Sequence, residues 1–130
     1  MIVDSSALVA ILREEPEREV LREKLLFAEK APRMASVNFL ETAIVIDAKR
    51  DAVTSRRLDD LIEKFGIEIV SVTPEHARIA RDAYRDFGRG SGHPAKLNFG
   101  DSIAYALARS ESEPLLFVGN DFIHTNIETA

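Results

Sequence analysis

The stretch Met1-Ile2-Val3-Asp4 decides the fold class, because it is a short apolar run that stops abruptly at an acid. A run this short and apolar predicts a strand buried inside a sheet. Strand-like runs return at 33–35, 67–72 and 115–118, with helical patterns between them. Alternating strands and helices predict a parallel sheet covered on both faces, which is a three-layer α/β/α architecture.

Six helices are predicted between these strands and after the third of them. They cover residues 7–13, 17–30, 36–50, 55–65, 74–87 and 101–110. Ser36 is expected to cap the third helix, and Thr73 to cap the fifth with Pro74 at its first position. Gly66 is expected to end the fourth. The tail near Ile127 offers one more short strand.

The bulk composition suits one domain covering residues 1–130, with 45% hydrophobic and 30% charged residues. The chain contains no Cys, which excludes disulfides and thiolate metal sites and favours the reducing cytoplasm. No apolar run is long enough to span a membrane, and the start does not resemble a signal peptide. The formal net charge of −5, taken alone, argues against a nucleic-acid partner.

Acids follow two of the predicted strands. Asp4 ends the first strand, and Asp121 comes shortly after the strand at 115–118. In parallel sheets, ligands bind beyond the carboxyl ends of the strands, so the two acids share one crevice if their strands are neighbours. For either acid alone, ordinary turn chemistry is an equally available explanation.

Two further acids lie on predicted helices. Glu41 falls on an apolar stripe of the third helix, where a carboxylate is costly unless it is paired or bound to a cation. The other residues of that stripe are Val37, Ile44, Val45 and Ala48. Asp101 opens an Ala-rich helix that is predicted to be largely buried. A salt bridge for Glu41 and a helix-dipole contact for Asp101 remain open as structural explanations.

Four acids gathered at one edge repel one another, and a hard divalent cation relieves that repulsion. Oxygen ligands, with no Cys and no obvious His pair, favour Mg²⁺ or Mn²⁺ over Zn²⁺. Such a site suits phosphodiester hydrolysis, because a bound cation makes hydroxide available near neutral pH. The acids therefore predict a metal-dependent hydrolase acting on phosphodiesters.

Three segments and one helical acid together resemble VapC-type toxins of the PIN-domain ribonuclease family. The segments are Met1-Ile2-Val3-Asp4-Ser5-Ser6-Ala7, Leu97-Asn98-Phe99-Gly100-Asp101-Ser102-Ile103-Ala104-Tyr105-Ala106 and Gly119-Asn120-Asp121-Phe122, and the helical acid is Glu41. The resemblance covers essentially the whole chain in order and spacing. It implies four or five parallel strands and a Mg²⁺-dependent endoribonuclease, with Mn²⁺ as a possible substitute. It also implies a cognate antitoxin that blocks the active site, and a homodimer.

The same resemblance assigns roles to individual residues. Asp4, Glu41, Asp101 and Asp121 match the acidic quartet of the family, and Ser6 matches its supporting polar residue. Gly119 departs from the pattern, since many members carry Thr or Ser two residues before the last acid. The support of Asp121 is therefore the least certain match to the family pattern.

Residues 78–96 are locally basic, with five Lys or Arg against two Asp. Candidate RNA contacts are Arg85, Arg89, His93 and Lys96. They could steer a phosphate backbone toward the acids. Arg–Asp pairing on a solvated helix face explains the helical arginines equally well. Phe87, Phe99 and Phe122 are predicted to be core residues rather than base-stacking platforms.

The helices between residues 7 and 30 carry more apolar side chains than one buried stripe needs: Leu8, Ile11, Leu12, Leu21, Leu25, Leu26 and Phe27. An exposed remainder would suit an antitoxin groove or a dimer surface, whereas full burial would mean ordinary packing.

Two alternatives to the nuclease follow from the same fold class. A catalytically inert PIN-like interaction module is one, although all four acids are present. A phospho-acceptor receiver-like domain is the other. It usually needs a second acid near the first strand and a Lys after a late strand, and neither is found.

Overall fold

Four short strands and six helices alternate along the chain in the computed structural model, which describes residues 1–130. In chain order they are β1 (Ile2–Val3), α1 (Ser5–Leu12), α2 (Arg18–Leu26), β2 (Arg33–Ala35), α3 (Ser36–Asp47), α4 (Ala52–Lys64), β3 (Glu68–Val70), α5 (Pro74–Phe87), α6 (Phe99–Glu111) and β4 (Leu115–Leu116). A single 3₁₀ turn, Phe122–His124, follows β4.

The four strands form one sheet in the order β3-β2-β1-β4, with every pair parallel. Successive strand residues point to opposite faces, so the sheet separates two cores. On one face, Ile2 and Leu115 pack with α5 and α6. On the other face, Val3 and Leu116 pack with the four helices α1 to α4. This confirms the predicted three-layer α/β/α fold with a parallel sheet.

The sheet has four strands, at the lower end of the predicted count. The chain tail adds only an isolated parallel bridge between Leu115 and Thr129, so the strand predicted near Ile127 does not form. No helix of the structure is both long enough and apolar enough to cross a membrane.

Helix starts follow capping chemistry more closely than apolar periodicity. Thr73 caps α5 as predicted, with Pro74 in the first helical turn. Ser36 is wrong as a cap, because Ala35 occupies that position and no side chain caps α3. The start of α4 was predicted too late, since Asp51 accepts a hydrogen bond from the Val53 amide and begins the helix at Ala52.

The stripe of α3 that was predicted to be buried is not the one that packs on the core. Asn38, Thr42 and Ile46 form the buried face of the helix, whereas Ile44 is 61% exposed. Glu41 consequently lies at the edge of the buried face, partly open to solvent. Both stripes carry apolar residues at helical spacing, and periodicity alone does not choose between them.

Several apolar side chains remain on the surface. In the first two helices the predicted stripe is mostly core, but Leu26 and Phe27 are 64% and 77% exposed. Phe99 is 70% exposed, so its assignment to the core was wrong. It occupies the first position of α6, whereas Phe122 is buried.

Candidate active site

Asp4 is the most deeply buried acid of the structure, with only 2% of its surface exposed. It caps α1, and its Oδ2 accepts hydrogen bonds from the amide and the hydroxyl of Ser6, at 3.0 and 2.6 Å. Its Oδ1 is buried with no hydrogen-bond partner. Burial, with a smaller contribution from the charges of Asp101 and Glu41, raises the pKa of Asp4 to about 6, although the two hydrogen bonds from Ser6 act to lower it.

Ser6 connects the ends of two neighbouring strands. Its hydroxyl donates to Asp4 Oδ2 and accepts from the Val118 amide at 3.0 Å. Because β1 and β4 are adjacent, this one hydroxyl holds the Asp4 carboxylate against the segment that leads to Asp121. Ser6 therefore fixes which oxygen of Asp4 is occupied and which is left without a partner.

Glu41 reaches from α3 to the start of α6. Its Oε2 accepts a hydrogen bond from the Ser5 hydroxyl at 2.8 Å. A Cβ atom added to Gly100 would lie 2.5 Å from that same oxygen. The carboxylate thus occupies the space that any side chain at position 100 would need, and glycine is what allows this close approach.

Asp101 lies in the first turn of α6 rather than at its start. Asn98 caps the helix by accepting from the Asp101 amide at 2.8 Å, while Asp101 Oδ2 accepts from the Asn98 amide at 2.9 Å. Burial raises the pKa of Asp101, and the charges of Asp121 and Glu41 add to that effect. The Asn98 amide and the charge of Arg89 oppose it.

Asp121 is the least supported of the four acids. It is exposed and its side chain makes no capping hydrogen bond to the 3₁₀ turn that follows. Gly119, two residues earlier, takes a positive φ of 105° and a side chain there would meet nothing within 4 Å. The charge of Asp121 nevertheless acts on Asp101, so it belongs to the same electrostatic cluster.

The structure therefore brings all four predicted acids to one edge of the sheet, where burial first and their mutual repulsion second raise the pKa of Asp4 and of Asp101. We refer to Asp4, Glu41, Asp101 and Asp121 as the acidic cluster. No three acidic or histidine side chains of the chain close around a common point as a finished ligand set. The unpartnered Asp4 Oδ1 and the uncompensated like charges fit a divalent cation, because a buried carboxylate oxygen without a partner is costly.

The four candidate RNA contacts separate into two kinds. Arg85 is paired with Asp82 and Asp86 on its own helix, and the hydrogen bond that it donates to Asp86 raises the pKa of this guanidinium. His93 is half-buried, and its Nδ1 accepts from the Ala95 amide at 3.1 Å. Arg89 and Lys96 are exposed and make no ion pair.

Three residues near the acidic cluster were missed from sequence. Asn38 is completely buried and donates to the Gly100 carbonyl at 3.0 Å, joining α3 to α6. Asn98 positions Asp101, and its spacing three residues before an acid was a readable capping-box signal. Ser5, which donates to Glu41, carried no such signal because its partner is 36 residues away.

Comparison with known proteins agrees with this fold. A sequence model of the PIN domain matches residues 1–128. Ribonuclease VapC28 of Mycobacterium tuberculosis is 52% identical over 130 residues, covering 100% of this chain and 97% of the relative. Ribonuclease VapC42 of the same species is 47% identical over 132 residues, covering 100% and 98%.

Two solved structures share the fold at low sequence identity. Mycobacterium tuberculosis VapC20, described as a sarcin-ricin loop cleaving toxin, has a TM-score of 0.76 at 13% identity, covering 99% of this chain and 97% of that one. A toxin–antitoxin complex from Klebsiella pneumoniae has a TM-score of 0.70 at 14% identity, covering 93% and 88%.

The three-layer fold and the match over nearly the whole sequence define a PIN-domain protein. The chain belongs to the PIN-domain family and, within it, to the VapC ribonucleases. The receiver-like alternative is thereby excluded.

Proposed function

We propose that this chain is a metal-dependent endoribonuclease and the toxin of a toxin–antitoxin pair, with residues 1–130 acting as one PIN-like domain. The observation that carries the proposal is the acidic cluster, in which a buried oxygen of Asp4 has no hydrogen-bond partner and the charges of Asp101 and Glu41 add to the effect of burial on the Asp4 pKa. Ribonuclease activity is the named property of the relatives that match its full length.

Mg²⁺ is the preferred cation, with Mn²⁺ as a substitute, since the donors are carboxylate oxygens. When bound, it lowers the pKa of water near the scissile phosphate and offsets developing negative charge. Asp4 and Asp101 are the residues best placed to hold it, with Glu41 and Asp121 completing the charge. Ser6, Ser5 and Asn98 keep three of these carboxylates in place through the hydrogen bonds described above.

The partners in this proposal are RNA, a cognate antitoxin and a second copy of the chain. The antitoxin is supported by the Klebsiella neighbour, which was solved as a toxin–antitoxin complex. The exposed apolar side chains of Leu26 and Phe27 give α2 and the residue after it a surface suited to a protein partner. The homodimer follows from the family resemblance.

Cleavage of total cellular RNA by the purified, antitoxin-free protein tests this proposal. We expect discrete cuts in Mg²⁺ and none in EDTA. Asp101→Asn should lower the rate by about a hundredfold or more, since it removes a charge but keeps an oxygen for the Asn98 amide. Asp59→Asn, an exposed acid on α4, is the matched control and should cleave normally.

Each contrary result has a distinct meaning. Cleavage that survives Asp101→Asn would show that the acidic cluster is not the active site. Folded, metal-supplied wild-type protein that cuts no RNA would favour the catalytically inert interaction module. Sequencing of the new ends would identify the RNA and the cut site.

A further inference from the structure

The loop of residues 88–97, which joins α5 to α6, is closed on itself by backbone hydrogen bonds. The Arg89 amide donates to the Leu97 carbonyl at 3.0 Å, and the Leu97 amide donates to the Phe87 carbonyl at 2.9 Å. Gly88 and Leu97 form an isolated bridge at the neck of the loop. The loop therefore leaves and rejoins the domain at one point, beside the start of α6.

The interior of the 88–97 loop is organised around His93. Its ring packs edge-on against Phe87, with 4.9 Å between ring centroids, and its Nδ1 accepts from the Ala95 amide at 3.1 Å. Its own amide donates to the Ser91 hydroxyl, which in turn donates to the Gly88 carbonyl at 2.6 Å. His93 is thus engaged inside the loop, which differs from its predicted role as an RNA contact.

The same loop displays two cations of the basic segment that make no ion pair. Arg89 lies at one side of the neck and Lys96 at the other, and both are exposed without an ion pair. The guanidinium of Arg85, one helical turn earlier, forms ion pairs with Asp82 and Asp86 at 3.3 and 3.0 Å. Arg78 and Arg81 on α5 are also exposed without an ion pair, so what distinguishes Arg89 and Lys96 is their place on the loop that leads into α6.

The neck of the loop is directly connected to the acidic cluster. Leu97, which accepts the hydrogen bond from Arg89, precedes Asn98, whose amide donates to Asp101 Oδ2 at 2.9 Å. The positive charge of Arg89 acts on the same carboxylate, lowering the pKa of Asp101 against the larger effect of burial. Arg89 therefore lies close enough to the acids for its charge to act on Asp101, and Lys96 precedes Asp101 by five residues.

We propose that Arg89 and Lys96 bind an RNA phosphate beside the acidic cluster, and that His93 is the positioning residue that holds their loop in shape. This inference rests on the proposed function. A chain with a net charge of −5 repels a polyanion, and its acidic cluster repels it most. A pair of unpaired cations on a preformed loop supplies attraction at the one place where RNA must approach, with little ordering cost on binding.

Fluorescence anisotropy with a labelled single-stranded RNA of mixed sequence, in EDTA to prevent cleavage, measures this contact. Arg89→Gln should bind about tenfold more weakly than wild type, and the slope of log affinity against log salt should fall by about one. Arg56→Gln, at an exposed arginine of α4 that makes no ion pair, is the matched control and should bind as wild type does. In Mg²⁺, Arg89→Gln should raise KM far more than it lowers kcat.

His93 is tested with two substitutions that separate positioning from proton transfer. His93→Asn keeps an oxygen close to the position of Nδ1 and can accept from the Ala95 amide, so it should retain most RNA binding. His93→Ala loses the acceptor and should weaken binding by about fivefold. Equal loss of kcat in both variants with unchanged RNA binding would instead make His93 an acid–base catalyst and overturn its positioning role.

The outcomes of these experiments distinguish this inference from the function beneath it. Wild-type protein that binds and cleaves RNA, with Arg89→Gln indistinguishable from it, would overturn the role of Arg89 and leave the nuclease intact. Folded wild-type protein that neither binds nor cleaves RNA would overturn the proposed function, and this inference with it. Circular dichroism of each variant confirms that the loss reflects binding rather than unfolding.

Discussion

The edge of the sheet where the strands begin (the amino edge) and the edge where they end (the carboxyl edge) shift the pKa values of their acids in opposite directions. At the amino edge, Glu113 contacts Arg33 at 2.7 Å and also the Met1 amino group, and Arg33 reaches Glu111 at 3.1 Å. The hydrogen bond from that amino group, together with Arg33, lowers the pKa of Glu113. At the carboxyl edge, burial and like charges raise the pKa of Asp4 to about 6.

This contrast separates acids that stabilise the folded state from acids that destabilise it. A carboxylate whose native pKa is lowered makes folding more favourable above its usual pKa, and one whose pKa is raised makes folding less favourable there. Ionised acids at the carboxyl edge therefore reduce the stability of the fold near neutral pH, whereas the ionised acid at the amino edge increases it. Such a cost is typical of a site kept ready for a ligand.

The largest expected effect comes from removing the charge of Asp4. Asp4→Asn should lower RNA cleavage by about a thousandfold, because the most buried acid of the cluster is lost. The same change should stabilise the protein in EDTA above neutral pH, by about 2 kcal/mol, since it removes a penalised buried charge. Cleavage assays and urea denaturation measure the two effects.

The stabilisation by Asp4→Asn should depend on pH. Wild-type Asp4 takes up a proton at about pH 6 when folded but only near 3.8 when unfolded. Its penalty is therefore fully present above about pH 7 and disappears as the pH falls toward 4. The stability difference between Asp4→Asn and wild type should shrink over that window. A variant that is less stable than wild type at every pH would contradict the contrast between the edges.

A smaller effect is expected from crowding the acidic cluster without removing an acid. Gly100→Ala places a Cβ 2.5 Å from Glu41 Oε2, so the carboxylate must move although the flexible side chain lets the fold survive. We expect cleavage to fall by about tenfold while the melting temperature changes little, since alanine also favours the helix. Normal cleavage by Gly100→Ala would show that the position of Glu41 is not critical.

The smallest effect is expected at the amino edge. Arg33→Gln removes the guanidinium that Glu111 and Glu113 share, and these side chains are mostly shielded from solvent. We expect a loss of about 1 kcal/mol in the free energy of unfolding, with unchanged cleavage by the folded protein. Urea denaturation and an RNA assay well below the unfolding transition measure both. Reduced cleavage at equal folded fraction would mean that the two edges are coupled.

Much of the fold could be predicted because strands and most helices are encoded in short segments. The three-layer arrangement follows from alternating patterns, and Thr73-Pro74 marks a helix start by local chemistry alone. The errors arose where two local signals compete. On α3, two stripes have helical spacing, and only packing on the sheet shows that Asn38, Thr42 and Ile46 face inward.

The four acids of the candidate site could be predicted from the sequence, but most of the residues that hold them in place were not. Asp4 and Asp121 follow strands, and the rule that parallel strands end together brings them to one edge. The start of α6 was placed two residues late, because Asp101 was taken for the first residue of a helix that Asn98 caps. Phe99 was consequently placed in the core, whereas it is exposed. Metal binding by these acids stays a prediction.

The sequence by itself determined the parallel α/β class, the acids at the strand ends and the local caps, because each depends on residues within a few positions of one another. Tertiary structure alone decided which oxygen of Asp4 lacks a partner, that Ser5 holds Glu41 across 36 residues, and that Asn38 joins Gly100 across 62. It also decided which cations of the basic segment are free. These features depend on how distant segments pack, and burial sets the energy of each charge only after that packing is complete.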